Sequence, residues 1–140
     1  MIYNEDSIKG LDIVPAQKLS GRLVDIKSPE ELFILTSTFS VYSWHSLEKV
    51  YLAVLEKHGY SYNDIGFIFP DEAAEWGESI DGIQVYNQMG EILLTEQAFK
   101  LFILKYFSAI ISYAKINSDP ITQVSWWSEF LNFTTDLEKN

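Results

Sequence analysis

Eight carboxylates, Asp64, Asp71, Glu72, Glu75, Glu78, Asp81, Glu91 and Glu96, lie between Lys57 and Lys100, and no lysine or arginine interrupts them. Three kinds of chemistry use such a set. A pair such as Glu75 and Glu78 can work as acid and base in a hydrolase. Converging oxygens from Asp71, Glu75, Glu78 and Asp81 can hold a hard cation such as calcium. An uncompensated field of negative charge can draw in a positively charged partner. Composition makes the first cheap, because with 20 acidic residues some fall three or four apart by chance. The second lacks the alternating Asp/Asn ligands, turn glycine and distal glutamate of a calcium loop. The third needs no special spacing and is the leading expectation, with Asp71, Glu72, Glu75, Glu78 and Asp81 as binding residues. Trp76 sits among them, where a large amphipathic ring either anchors an interface or covers a neighbouring core residue.

Other chemistry is thinly represented. The two histidines, His45 and His58, have no Ser-His-Asp order or metal-ligand spacing around them. His58 precedes Gly59 at a helix end, where a cation suits the dipole, and both are read as structural or surface residues. Gly77 and Gly82 make no phosphate-binding loop, since neither GxGxxG nor GxxxxGK occurs. No cysteine is present, which removes disulfides and thiolates and agrees with a reducing compartment. A net charge of -10 opposes direct binding of nucleic acid or anionic lipid and permits binding of a basic protein. The first ten residues lack a basic region followed by an apolar run, so no signal peptide is expected. Leu32 to Leu47, the longest stretch without acidic or basic charge, is too short and too rich in Ser and Thr for a membrane span.

The elements that must position the acids follow from periodicity. Leu11–Val14 and Leu23–Ile26 read as short strands. Ser28-Pro29-Glu30-Glu31 reads as a capping box that starts a helix at Pro29 and runs toward Phe39. Leu47, Val50, Tyr51, Val54 and Leu55 fall on one face of a second helix, with Gly59 as a left-handed stop. Tyr60–Asp64 reads as a loop and Phe67–Phe69 as a strand ended by Pro70. Asp71–Gly77 suits a helical turn. Ile83–Tyr86 and Glu91–Leu94 form a hairpin across a four-residue connection. Thr95 caps a long helix over Glu96–Lys115, apolar on most of its circumference and therefore central, with Leu101 and Leu104 inside. A last helix runs from Pro120 to about Leu137, and Trp126 and Trp127 divide between core and surface. The expectation is one α+β domain over residues 1–140, mostly helical, with a small antiparallel hairpin or sheet.

The order Phe69-Pro70-Asp71-Glu72, then Asp81-Gly82-Ile83 and Val85-Tyr86, then a hairpin and a Tyr- and Phe-rich helix, resembles the CdiI-type immunity proteins of bacterial contact-dependent growth inhibition, notably those paired with ribonuclease toxins. The resemblance covers roughly Gly66 to Pro120, about 40% of the chain. It implies a small cytoplasmic protein with no catalytic residues and no cofactor, which binds the basic C-terminal domain of one cognate toxin and covers its active site. Asp71, Glu72, Glu75, Trp76, Glu78 and Asp81 then become the toxin-binding set. Two other readings are a small carboxylate-dependent hydrolase and a general acidic adaptor or DNA mimic. Because no ligand spacing or staple is found, the protein is expected to fold without metal. Its melting temperature should be unchanged by EDTA, and a fall of several degrees that calcium or zinc restores would establish a metal site in the acidic stretch.

Overall fold

The computed structural model describes residues 1–139. Thr95 starts its longest helix, α5 (Glu96–Ile116), by accepting a hydrogen bond from the Ala98 N–H at 3.0 Å. Ten α5 residues are buried, on more than one side of the helix. One side meets a five-stranded sheet, formed by β1 (Ile2–Tyr3), β4 (Tyr60–Tyr62), β5 (Ile65–Ile68), β6 (Ile83–Asn87) and β7 (Gly90–Leu94) in the spatial order β1-β7-β6-β5-β4. Every pairing is antiparallel except β1 with β7, which is parallel. The other side of α5 meets α6 (Trp127–Lys139), which α3 (Trp44–Glu56) joins through rings. Phe130 lies 4.8 Å from Phe107 and 5.4 Å from Tyr51, between ring centroids.

The sheet side of the core is aromatic. Phe39, on α2 (Phe33–Ser40), has its ring centroid 4.9 Å from Phe102, 5.2 Å from Tyr106 and 5.7 Å from Phe67. Rings at these separations bury large apolar areas and gain a further edge-to-face term. The N-terminal elements α1 (Glu5–Lys9), β2 (Asp12–Pro15) and β3 (Val24–Lys27) pack on α5, with β2 and β3 forming a separate two-stranded ladder. Lys105 of α5 donates to the carbonyls of Ile8, Lys9 and Leu11 at 3.1, 2.8 and 2.8 Å. A cation thus sits at the carbonyl end of α1, where positive charge is favoured, and ties the turn that follows the helix to α5.

The α+β class holds, and the sheet is larger and mixed where a small hairpin was expected. Tyr60–Tyr62 is a strand, because Asn63 and Asp64 both adopt positive φ (53° and 62°) and turn the chain back into β5. The β6–β7 connection is only Gln88-Met89, held by Asn87 Oδ1 accepting from the Met89 N–H. No capping box forms at Ser28: Pro29 is extended (ψ 153°), the chain enters α2 through a 3-10 turn over Glu30–Leu32, and Ser28 donates to the Pro29 carbonyl. The left-handed stop of α3 is Lys57 (φ 56°), not Gly59. Gly59 is needed for space, since a Cβ there would meet the Phe67 carbonyl and the Glu72 carboxylate. The last helix is interrupted at Val124, which is extended (ψ 152°) after a 3-10 turn over Pro120–Gln123. Leu101 and Leu104 are only half-buried, because α3 and α6 stand apart there and leave a groove of about 610 Å³ also lined by Val54, Leu55, Phe133 and Leu137.

Two hydroxyls in the core, those of Tyr42 and Tyr106, have no hydrogen-bond partner among the described residues. Phe39 sits against both rings. Burial, and for Tyr106 also the neighbouring Tyr42, pushes both phenols well above the ordinary tyrosine value. The folded state therefore keeps protons that the unfolded chain releases above about pH 10, so stability present below that pH is lost as pH rises further. Replacing an unpartnered buried hydroxyl by hydrogen removes a desolvation cost. Tyr106→Phe should leave stability unchanged or raise it by up to about 2 kcal/mol in urea unfolding, and should make the alkaline loss shallower. A loss above about 1 kcal/mol would show that the hydroxyl is hydrogen-bonded.

Candidate functional site

Pro70 begins α4 (Pro70–Glu75) at its first turn, with Asp71 and Glu72 beside the helix N-terminus, where negative charge is favoured. Ala73 anchors the helix by being buried. The helix ends where the Trp76 and Gly77 N–H groups bond back to Ala73 and Ala74, and Gly77 turns with φ 78°. The chain then passes Glu78 and Asp81 into β6. Asp71, Glu75, Trp76, Glu78 and Asp81 are all exposed. Trp76, at 64% exposure, does not cover the core.

Glu72 is the exception among the sequence-derived binding residues. Its carboxylate is half-buried and accepts from the Gly59 N–H at 3.1 Å. The bond ties α4 to the end of α3 through one carboxylate oxygen and gives Glu72 a structural role that the other acids of the stretch do not share.

The remaining acids spread over a surface and do not converge. Among the described residues no group of three or more His, Cys, Asp or Glu side chains could hold a metal ion. Neither the groove beside Leu104 nor a second cavity of about 450 Å³ is lined by any acid of the Asp71–Asp81 stretch. His45 and His58 are exposed. The acids of this stretch present their charge to solvent and not to a cavity.

Strand register reveals a part of the surface that sequence reasoning missed. Phe67, Ile83, Val85, Ile92 and Leu94 point to the buried face, where α2 and α5 pack. Alternation sends their neighbours to the opposite face. There Ile2, Leu93, Gln84 and Ile68 stand side by side across β1, β7, β6 and β5. In the next row Glu91 faces Tyr86, and Tyr86 faces Gly66. Gln84 donates to the Glu91 carboxylate at 2.7 Å. All these side chains are half-buried or exposed, Ile2 at 41%. The signal was the alternation in β6 and β7, but the contribution of Ile2 comes from 91 residues away by the parallel pairing of β1.

No family model, curated protein or solved structure matches the chain. Strands β4 to β7 and their connections carry seven carboxylates and no cation, and Glu96 adds an eighth at the start of α5. The ion pairs Lys9–Asp6 and Arg22–Asp25 lie in the N-terminal quarter, outside this region.

The two roles separate in a stability measurement. Glu72→Ala leaves a half-buried N–H unpaired and should cost about 1–3 kcal/mol, whereas Glu75→Ala and Glu78→Ala should each fall within about 0.5 kcal/mol of wild type. Equal effects at all three positions, read by urea unfolding, would overturn the assignment of Glu72.

Proposed function

We propose that this chain is an immunity protein of contact-dependent growth inhibition: it binds the basic C-terminal domain of a cognate nuclease toxin and covers its active site with an acidic surface. The observation that carries the reading is the exposed, cation-free run from Asp71 to Asp81. A nuclease binds a polyanion, so its active site is basic, and a carboxylate-rich protein surface suits the same site. The resemblance of residues 66–120 to immunity proteins supports the same partner class. On this reading the protein acts in the cytoplasm, performs no chemistry of its own and needs no cofactor. No helix among the described residues is long and apolar enough to cross a membrane.

Nanomolar affinity corresponds to about -12 kcal/mol, which a few central contacts must supply while the charge field raises the association rate. Exposed charges steer over about 8–10 Å at physiological salt. Reversing Asp71, Glu75, Glu78 and Asp81 to Lys should slow association, reduce its salt dependence and abolish protection of cells that make the toxin, with circular dichroism unchanged. The same reversal at Glu30, Glu48, Glu129 and Glu138, exposed acids on other elements, should have a much smaller effect. Equal protection by both variants would refute the acidic surface as the binding site.

A further inference from the structure

We infer that the open face of the five-stranded sheet, with Ile2, Ile68, Tyr86 and Leu93 at its centre, is the apolar docking platform for that basic protein domain, beside the acids of the α4–β6 connection. The inference rests on the proposed function and names the contacts that the acids alone do not supply.

Charge and register single out this face. It is built by strands that contain no lysine or arginine from β4 through β7, so any basic partner drawn toward Asp71–Asp81 meets no repulsion on moving across it. The α4 connection leaves the sheet just after Ile68 and returns at Ile83, so Asp81 stands three residues from Gln84, within the row Ile2–Leu93–Gln84–Ile68. Glu91 borders the next row. Apolar side chains bounded by charge are the layout of a protein interface, where buried apolar anchors hold and rim charges steer. Gly66, opposite Tyr86, is buried against the backbone of β4, where a Cβ would meet the Tyr60 carbonyl, so the apolar part of the face ends at Tyr86 and Ile68. The Ile2 side chain lies over Gly82, its Cδ1 3.0 Å from the position that a Cβ there would take.

A second copy of the chain is the wrong occupant. Two molecules of net charge -10 would bring their most acidic surfaces together. The helix groove at Leu101 and Leu104 is the less suited surface, since Lys57 and Lys100 stand among Glu5, Glu96 and Glu138 on its lining and bring like charge against a basic partner, which the strands β4 to β7 do not.

The test uses the full chain and, as probe, the basic C-terminal domain encoded beside it, with dissociation constants from calorimetry. Leu93→Glu separates the two contributions, because it adds negative charge while removing an apolar contact. Docking on the face requires Leu93→Glu to raise Kd about tenfold or more, and the uncharged Ile68→Ser to raise it as well. Attraction by charge alone requires Leu93→Glu to bind equally or more tightly. Hydroxyl-radical footprinting of the wild-type complex needs no variant: protection of Tyr86 and Leu93, with Leu101 and Leu104 still reactive, is the expected pattern. If the Lys reversal of the acids weakens binding while both face variants bind normally and Tyr86 stays reactive, the platform is refuted and the proposed function stands. If the wild-type chain does not bind the domain at all, both fall. If the footprint lies on Leu101 and Leu104, the docking surface is the helix groove.

Discussion

The rest of this structure depends on the burial of α5 on two sides at once. Phe99, Phe102 and Tyr106 face the sheet, while Phe107 and Tyr113 lie among Phe130 and Trp44 on the helical side. A helix with apolar residues around most of its circumference cannot rest on a single layer. It draws the sheet to one side and α3 with α6 to the other. The sheet has only one such helix layer to receive it, and α2 shares that same side through Phe39. The opposite sheet face is left bare as a consequence of how the core is filled.

Charge distribution completes the division of labour. Basic residues are placed on the N-terminal elements and the helices, and the acids concentrate on the strands and connections of the middle. Concentrating like charge weakens the folded state slightly and gains reach toward a partner. The fold tolerates this because most of these acids are exposed and screened, while Glu72 accepts from the Gly59 N–H and Glu91 from Gln84. Lys105 does the opposite task, holding three carbonyls of the N-terminal segment and so fixing the segment that supplies β1 to the sheet edge. The sheet therefore joins a strand from the start of the chain to the acidic segments of its middle.

Local signals in the sequence were sufficient where one residue type forced one geometry. Thr95 as a cap, Pro70 and Gly77 as the limits of α4, the face of α3 and the span of α5 all follow from spacing and side-chain chemistry. So does the concentration of acids, which is a property of composition. Signals failed where two geometries were locally equal. Either Lys57 or Gly59 can end α3, and Gly59 was taken by the contact with Glu72 and Phe67, which are neighbours only in three dimensions. Asn63-Asp64 reads as loop until β5 is present for Tyr60–Tyr62 to pair with.

What the sequence by itself determined is thus the α+β class, the central helix, the absence of thiol chemistry and the acidic stretch, because each depends on residue type and near spacing. Only the tertiary structure decided which acid is structural, that Leu101 and Leu104 border a groove, and that Ile2 joins Leu93, Gln84 and Ile68 in one row. The physical reason is the same in each case: burial and strand register are set by partners distant in the chain, and period-two alternation names two faces without saying which one a helix will cover.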